Sequence, residues 1–261
     1  MPKTVGWNGF VDTRTQAEYE RLSLLEQIFD PFSLRNLDRF GIAPGWRCLE
    51  VGAGAGSVAR RMAELAGGEH VVATDLSLKF LGPLEELGIT VLHHDITVDP
   101  APGEFDLIHT RFVLDHLAER ETVLKRLASW LRPGGTLLVE MATTLPELSS
   151  DPDVRRSLET LGLVLSQRVG TDPNFARTLP LPLEHAGLVG CDSEGQIRPA
   201  RGGSPLAHFL RSTTQLVEAH AVETGLIEQD VLDSAYSTYD DPTFVDYSWL
   251  TIAAWGQRPN E

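Results

Sequence analysis

Residues 46–57 read WRCLEVGAGAGS: a short, mostly apolar run that ends in three alternating glycines, Gly52, Gly54 and Gly56. The residues after it place Val58, Met62 and Leu65 on one helical face. Together they predict a buried strand, a tight turn and a helix. Glycines let the backbone turn sharply and let a ligand approach the main chain, and the start of the helix offers N–H groups that have no partner within it. A ligand site at a strand-to-helix turn is therefore expected. Dinucleotide-binding turns space their glycines as Gly-x-Gly-x-x-Gly; here that third position is Ser57 and Gly56 stands one residue early, which argues against a nicotinamide cofactor.

Downstream of the turn the same alternation repeats. HVVATD (70–75), ITVLHHD (89–95), EFDLIHT (104–110) and GTLLVEM (135–141) read as strands, separated by segments long enough to return the chain by helix. The helix before the fifth strand shows Val123, Leu127, Trp130 and Leu131 on one face and is stopped at Arg132-Pro133-Gly134-Gly135. Upstream, Tyr19, Leu22, Leu25, Ile28, Phe29, Phe32 and Leu37 keep a nearly helical spacing interrupted by Asp30-Pro31, which predicts two short helices. Beyond Met141 helical insertions are expected at about 145–168 and 204–235, a crossover helix at 173–187 and a strand near 188–199. The last strand is FVDYSWLTIAAWGQ (244–257), rich in β-branched and aromatic residues. The domain plan is a helical cap segment at 1–45 and an α/β core at 46–261.

With 261 residues, 42% apolar and 23% charged, the chain is long enough for one large core and too ordered in composition for wholesale disorder. Its 37 acidic against 22 basic residues leave a net charge of −15, which repels a phosphate backbone and makes a nucleic-acid partner improbable. The N-terminus lacks the apolar run of a secretory signal and no stretch reaches membrane-spanning length, so a cytoplasmic protein is expected. Cys48 and Cys191 have no metal-ligand spacing. No bound metal is expected.

Asp75 ends the second strand, 19 residues after Gly56, where its carboxylate is placed to accept from both hydroxyls of a ribose, with Leu76 beside it; the other reading is a helix N-cap, which Ser77 can supply instead. Asp95 follows His93 and His94 at the end of the third strand, positioned for an adenine amino group with Ile96 near the ring, or else serving an ordinary turn.

The series CLEVGAGAGSVA, VVATDLS, HHDI, FDLIHTRFVLDHL and LRPGGTLLVE resembles the ordered motifs of class I S-adenosylmethionine-dependent methyltransferases, especially their bacterial small-molecule branch, over about residues 46–141. The resemblance implies a Rossmann-like α/β fold: seven mostly parallel strands in the order 3-2-1-4-5-7-6, the seventh antiparallel, flanked by helices and capped by the N-terminal and inserted helices. It implies S-adenosylmethionine as cofactor and S-adenosylhomocysteine as product. Gly52, Gly54 and Gly56 would face the methionine portion, Asp75 with Leu76 the ribose, and Asp95 with Ile96 the adenine. Glu50 would orient the glycine turn or the cofactor's ammonium, unless it is a structural carboxylate, and His109 on strand four joins the cofactor-facing set.

A sulfonium is an activated methyl donor, so positioning and exclusion of water are the main catalytic terms. The carboxyl end of strand four, with Thr110 and Arg111, should point toward the methyl group. His116 in VLDHL is the candidate base or nucleophile-orienting group; Arg111 binds a carboxylate or forms an ion pair; Tyr19 is a pocket candidate from the N-terminal helices. Strand four is not followed by the Asn/Asp-Pro-Pro-Tyr/Phe pattern of amine-directed nucleic-acid enzymes, and it lacks the aspartate of the metal-dependent catechol branch. The expected acceptor is a drug-sized organic molecule, and the expected state a monomer or homodimer. Three rivals stand beside this reading: a protein of the same fold that binds the cofactor but catalyses a rearrangement or cyclisation, a nicotinamide oxidoreductase, and a non-catalytic partner subunit.

Overall fold

The computed structural model describes residues 7–12 and 15–260. Helices α1 (Trp7–Phe10) and α2 (Gln16–Arg39) lead into β1 (Cys48–Val51), α3 (Ser57–Ala66), β2 (Val71–Asp75), α4 (Gly82–Glu85) and β3 (Thr90–His93). Then come β4 (Phe105–Arg111), α5 (Arg120–Trp130), β5 (Leu131–Thr144), α6 (Pro152–Arg168), α7 (Leu181–His185) and β6 (Val189–Ile197). The chain closes with β7 (Ala200–Arg201), α8 (Pro205–Glu223), α9 (Gln229–Asp240), β8 (Val245–Asp246) and β9 (Trp249–Gln257).

Seven strands form a mixed sheet in the order β3-β2-β1-β4-β5-β9-β6, the expected order once the two-residue strands β7 and β8 are set aside. The pairs β1–β2, β1–β4, β2–β3 and β4–β5 are parallel. Parallel neighbours need crossovers, which α3, α4 and α5 supply. At the β5 side Gly134 donates its N–H to Arg258 O, and Arg258 returns its own to Gly135 O, both at 2.9 Å. With Gly134 at φ 77°, this is the bond pattern of an antiparallel bulge whose first residue is a left-handed glycine. The Pro-Gly-Gly stop seen in the sequence is thus absorbed into the start of β5.

The chain divides into two compact units. The sheet unit comprises Phe29–Met141, Phe175–Glu194 and Ile252–Glu261. Its strands alternate between two cores, as the period of two requires. Leu49, Ile108 and Leu137 pack with Val123, Leu124 and Leu127 of α5. Cys48, Leu107 and Leu138 pack on the other face with Phe32 and Leu37 of α2 and Val58 and Met62 of α3. Leu65, expected on the same helical face, is only partly buried. Burial pushes the Cys48 thiol up to about 12, so it stays protonated and inert.

The second unit comprises the described residues up to Ile28, Ala142–Asn174 and Gly195–Thr251. Helices α6, α8 and α9 pack on one another and bury Leu158, Leu161, Phe209, Leu210, Leu232 and Tyr239. Asp151 caps α6 by accepting from Asp153 N and Val154 N, each with Pro at the first helical position behind it, and Ser204 caps α8 in the same way through Ala207 N. Thr238 Oγ1 donates to the second oxygen of Asp151 at 3.2 Å, fastening α9 to that cap.

Three expectations change, the first being the crossover helix read at 173–187, which is confined to Leu181–His185 after a short turn at Phe175–Thr178. Helix α2 is continuous through Pro31 rather than two helices, because Phe29, Phe32 and Leu37 around the proline are sealed in the core and outweigh a break of about 3 kcal/mol. The C-terminal segment splits: Val245–Asp246 pairs antiparallel with Ala200–Arg201, and only Trp249–Gln257 enters the large sheet. No helix among the described residues is long and apolar enough to cross a membrane.

Candidate cofactor site

Gly52, Gly54 and Gly56 all adopt left-handed backbone conformations, with φ 72°, 60° and 91°. That conformation costs other residues roughly 1–2 kcal/mol each, which is why the turn is built from glycine. Space adds a second constraint at Gly52: a Cβ there would lie 2.3 Å from Val113 Cγ2. Gly56 precedes α3 and, as glycine, offers no side chain to cap the helix. The turn is anchored behind by Gly52 N and Ala53 N, which donate to Thr74 O at 2.8 and 3.0 Å.

Asp75, at the end of β2, is bonded into this turn. Its Oδ2 accepts from Gly54 N at 3.0 Å and its Oδ1 from Ser77 N at 2.9 Å. No helix begins at Ser77, so the capping alternative falls away. Burial pushes the Asp75 carboxyl up, against the backbone donors that favour its anion. Each carboxylate oxygen can accept twice, so capacity remains for further donors. Leu76 beside it is a large apolar side chain left 44% exposed. Asp95 uses Oδ1 for Thr97 N and Thr97 Oγ1, at 2.9 and 2.6 Å, and His94 N of the same loop donates to Asp75 O at 3.1 Å. Ile96 is buried. The two acidic residues singled out in the sequence therefore sit on adjoining, mutually bonded loops.

Behind the turn lies a charge network on the α2 side of the sheet. Alternation puts Glu50, His109, Arg111 and Glu140 on the face of Cys48, Leu107 and Leu138, and the register sets Glu50 opposite His109 and Arg111 opposite Glu140. Glu50, His109 and Glu140 are 3%, 0% and 0% exposed. His109 Nδ1 lies 2.7 Å from Glu50 Oε2, and Nε2 faces Glu140 Oε2 at 3.5 Å. Glu140 also accepts from Ser33 Oγ and, at 3.1 Å, from Asn36 Nδ2. Arg111 Nη1 donates to Asp30 Oδ1 at 2.9 Å and Ser33 Oγ at 2.8 Å, and Asp30 Oδ1 also accepts from Ser57 Oγ at 2.9 Å.

Burial alone would strip His109 of its proton, but the two flanking carboxylates prevail and push it up to about 9. It is an imidazolium at neutral pH, with both nitrogens turned to carboxylates. Burial holds Glu50 above the usual range despite His109, whereas Glu140, buried too, is held below it by His109, Arg111 and Ser33. Thr110 Oγ1 donates to Val51 O at 3.1 Å and so closes the end of β1.

The catalytic candidates separate. Arg111 is committed to its ion pair with Asp30. His116 sits in the single turn after β4, partly exposed, with Nε2 3.9 Å from Asp115 Oδ2. Tyr19 belongs to the helical unit and is 42% exposed. Between β4 and His116, Phe112 takes φ 56°, a left-handed conformation rare for a bulky residue, with its N–H held by Glu140 O at 2.9 Å and its ring edge-to-face on Phe29. This kink lays Val113 over Gly52.

Sequence reasoning missed Glu140, Asp30, Ser33, Asn36, Phe112 and Val113. A signal existed for Glu140, a lone carboxylate in the apolar run LLVEM, since a buried charge demands a partner. No sequence pattern marks the conformation of Phe112. No group of three or more His, Cys, Asp and Glu suited to a metal occurs among the described residues.

Residues 49–137, from β1 into β5, match the methyltransferase domain family. The methyltransferase str2 of Strobilurus tenacellus is 31% identical over 182 residues, 67% of this chain and 65% of that protein. The ubiquinone biosynthesis O-methyltransferase of Aromatoleum aromaticum is 33% identical over 114 residues, 41% of this chain and 48% of that one. The chain thus spans just under two thirds of the first relative and about half of the second. Phosphoethanolamine N-methyltransferase 2 of Haemonchus contortus, solved with phosphomonomethylethanolamine and S-adenosylhomocysteine, shares the fold at a TM-score of 0.58 and 20% identity, over 96% of this chain and 60% of its own. Matched domain, glycine turn and sheet order together support a class I S-adenosylmethionine-dependent methyltransferase fold around the matched segment.

Proposed function

We propose that this protein transfers a methyl group from S-adenosylmethionine to oxygen, nitrogen or carbon of a small organic acceptor, releasing S-adenosylhomocysteine. The observation that carries the reading is the bond from Gly54 N to Asp75 Oδ2, which makes the glycine turn and the acceptor for ribose hydroxyls one rigid piece. The residues fit the cofactor: the turn has glycine where a Cβ would collide, its cap position carries no side chain, and an apolar side chain stands exposed beside Asp75.

In this reading Gly52, Gly54 and Gly56 admit the methionine portion against the main chain, Asp75 holds the ribose, and Leu76 and Ile96 pack on either side of the nucleoside. Asp95 accepts from the adenine amine through the oxygen its own turn leaves over. Glu50, sealed behind the turn and bonded to His109, orients the glycine turn from behind. The bound cofactor supplies a methyl carbon already activated by its sulfonium. What remains for the protein is to align the acceptor and exclude water. His116 serves as base or orienting group for an acceptor that arrives protonated; His109, charged at neutral pH, is unsuited to that task.

Calorimetric titration with S-adenosylmethionine and, separately, with NAD tests the cofactor. Micromolar binding of the first alone is expected, and binding of NAD alone sinks the proposal. An acceptor screen that follows S-adenosylhomocysteine formation then separates a methyltransferase from a protein that binds the cofactor without consuming it.

A further inference from the structure

The loop that carries Asp95 has neither strand nor helix of its own between His93 and Pro100. The direction of the Asp95 carboxylate is therefore decided by what holds this loop. Within it, Asp95 N donates to Asp99 Oδ2 at 2.8 Å, and Asp99 N donates back to Asp95 O at 2.8 Å. His94 closes the far end through Nε2, 2.9 Å from Pro100 O. These bonds shape the loop but leave the carbonyls of Ile96 and Asp99 to be satisfied from elsewhere.

Arg126 of α5 supplies both. Its Nε donates to Ile96 O at 3.1 Å and its Nη2 to Asp99 O. The guanidinium lies over the Trp130 ring, 5.5 Å from its centroid, and Trp130 meets His94 edge-to-face at 5.8 Å. Arg126, Trp130 and His94 thus embrace the loop from the α5 side, with two carbonyls read by one planar fork. A guanidinium suits this task because its donors diverge in fixed directions, which an ammonium cannot match.

We infer that Arg126 is a positioning residue for base selection: it never touches the nucleoside, but it fixes the loop so that Asp95 presents its remaining oxygen to an exocyclic amine on the base. The inference rests on the reading of Asp95 given under the proposed function. The consequence is specific. Loss of Arg126 lets the Ile96 and Asp99 carbonyls turn to water and frees the Asp95 carboxylate to swing, so the preference for a 6-amino purine falls more than affinity for the rest of the cofactor.

The test compares Kd for S-adenosylhomocysteine with that for its analogue carrying a 6-oxo purine, in the wild type, Asp95→Asn, Arg126→Met and Arg126→Lys. In the wild type the amino form should bind at least about tenfold more tightly, the worth of one charge-assisted bond. Arg126→Met should bring the two ligands to within about threefold, like Asp95→Asn, with Arg126→Lys between them because one carbonyl is still reached. If Arg126→Met does not fold, the Lys variant carries the test by its intermediate ratio. An unchanged ratio in either Arg126 variant, including equal weakening of both ligands, overturns the inference while leaving the Asp95 reading intact. A wild type that binds both ligands equally overturns the Asp95 reading and this inference with it, and a wild type that binds neither overturns the proposed cofactor.

Discussion

Glu50 and Glu140 lie behind the glycine turn, sealed against α2, whereas Asp75 and Asp95 stand at its rim, partly open to solvent. The buried pair is neutralised by side chains from other elements: His109 between them, with Ser33, Asn36 and Arg111 around Glu140. The rim pair is held mainly by backbone N–H groups of nearby turns. Backbone donors orient a carboxylate without filling it. A buried anion, by contrast, has no such freedom, since any unpaired charge there costs several kcal/mol. The same residue type thus reads out in folding on one side of the turn and, in the proposed function, in binding on the other.

The largest effect should come from behind the turn. His109→Leu leaves two buried carboxylates without their cation and should destabilise the fold by about 3–5 kcal/mol in urea unfolding. The pH dependence follows the raised pKa of His109: its contribution is fully present below the unfolded value of about 6.5 and is lost as pH rises through about 9. Wild-type unfolding midpoints should therefore decline over that interval; a flat profile from pH 7 to 10 would remove the imidazolium from the comparison.

The turn itself separates strain from crowding. Gly52→Ala meets both a left-handed backbone and Val113, and should cost about 2–4 kcal/mol, whereas Gly41→Ala, equally left-handed but with open space around it, should cost only about 1–2 kcal/mol. Equal losses in thermal unfolding would mean that Val113 yields and does not define the turn.

At the rim the effect should shift from stability to ligand. Asp75→Ala is expected to weaken S-adenosylmethionine binding by at least about 1 kcal/mol, through lost charge-assisted bonds and a loosened Gly54. Unchanged affinity by calorimetry would refute the ribose assignment. A loss of stability as large as that of His109→Leu would erase the distinction between rim and interior.

Much of the sheet unit was legible because strand ends, glycine spacing and helix stops are local signals. The turn at 52–56 needed no partner to be recognised, and Asp75 followed from its place at a strand end. The helical unit was legible only as helices: α6, α8 and α9 carry apolar faces, but nothing in their spacing reports which covers which. Pro31 misled because its cost is local while the packing of Phe29, Phe32 and Leu37 that overrides it is not.

The sequence by itself determined the glycine turn, the strands around it and the acidic residues at the ends of β2 and β3, since each depends on neighbours within a few residues, while the sheet order came from the family resemblance of the motif series. Only the tertiary structure decided which groups Glu50, His109, Arg111 and Arg126 engage. Their partners lie 27 to 81 residues away in the chain, such as Asp99 for Arg126 and Asp30 for Arg111. A charged side chain's function is set by the field and donors around it, and those come together only when strands, helices and loops pack.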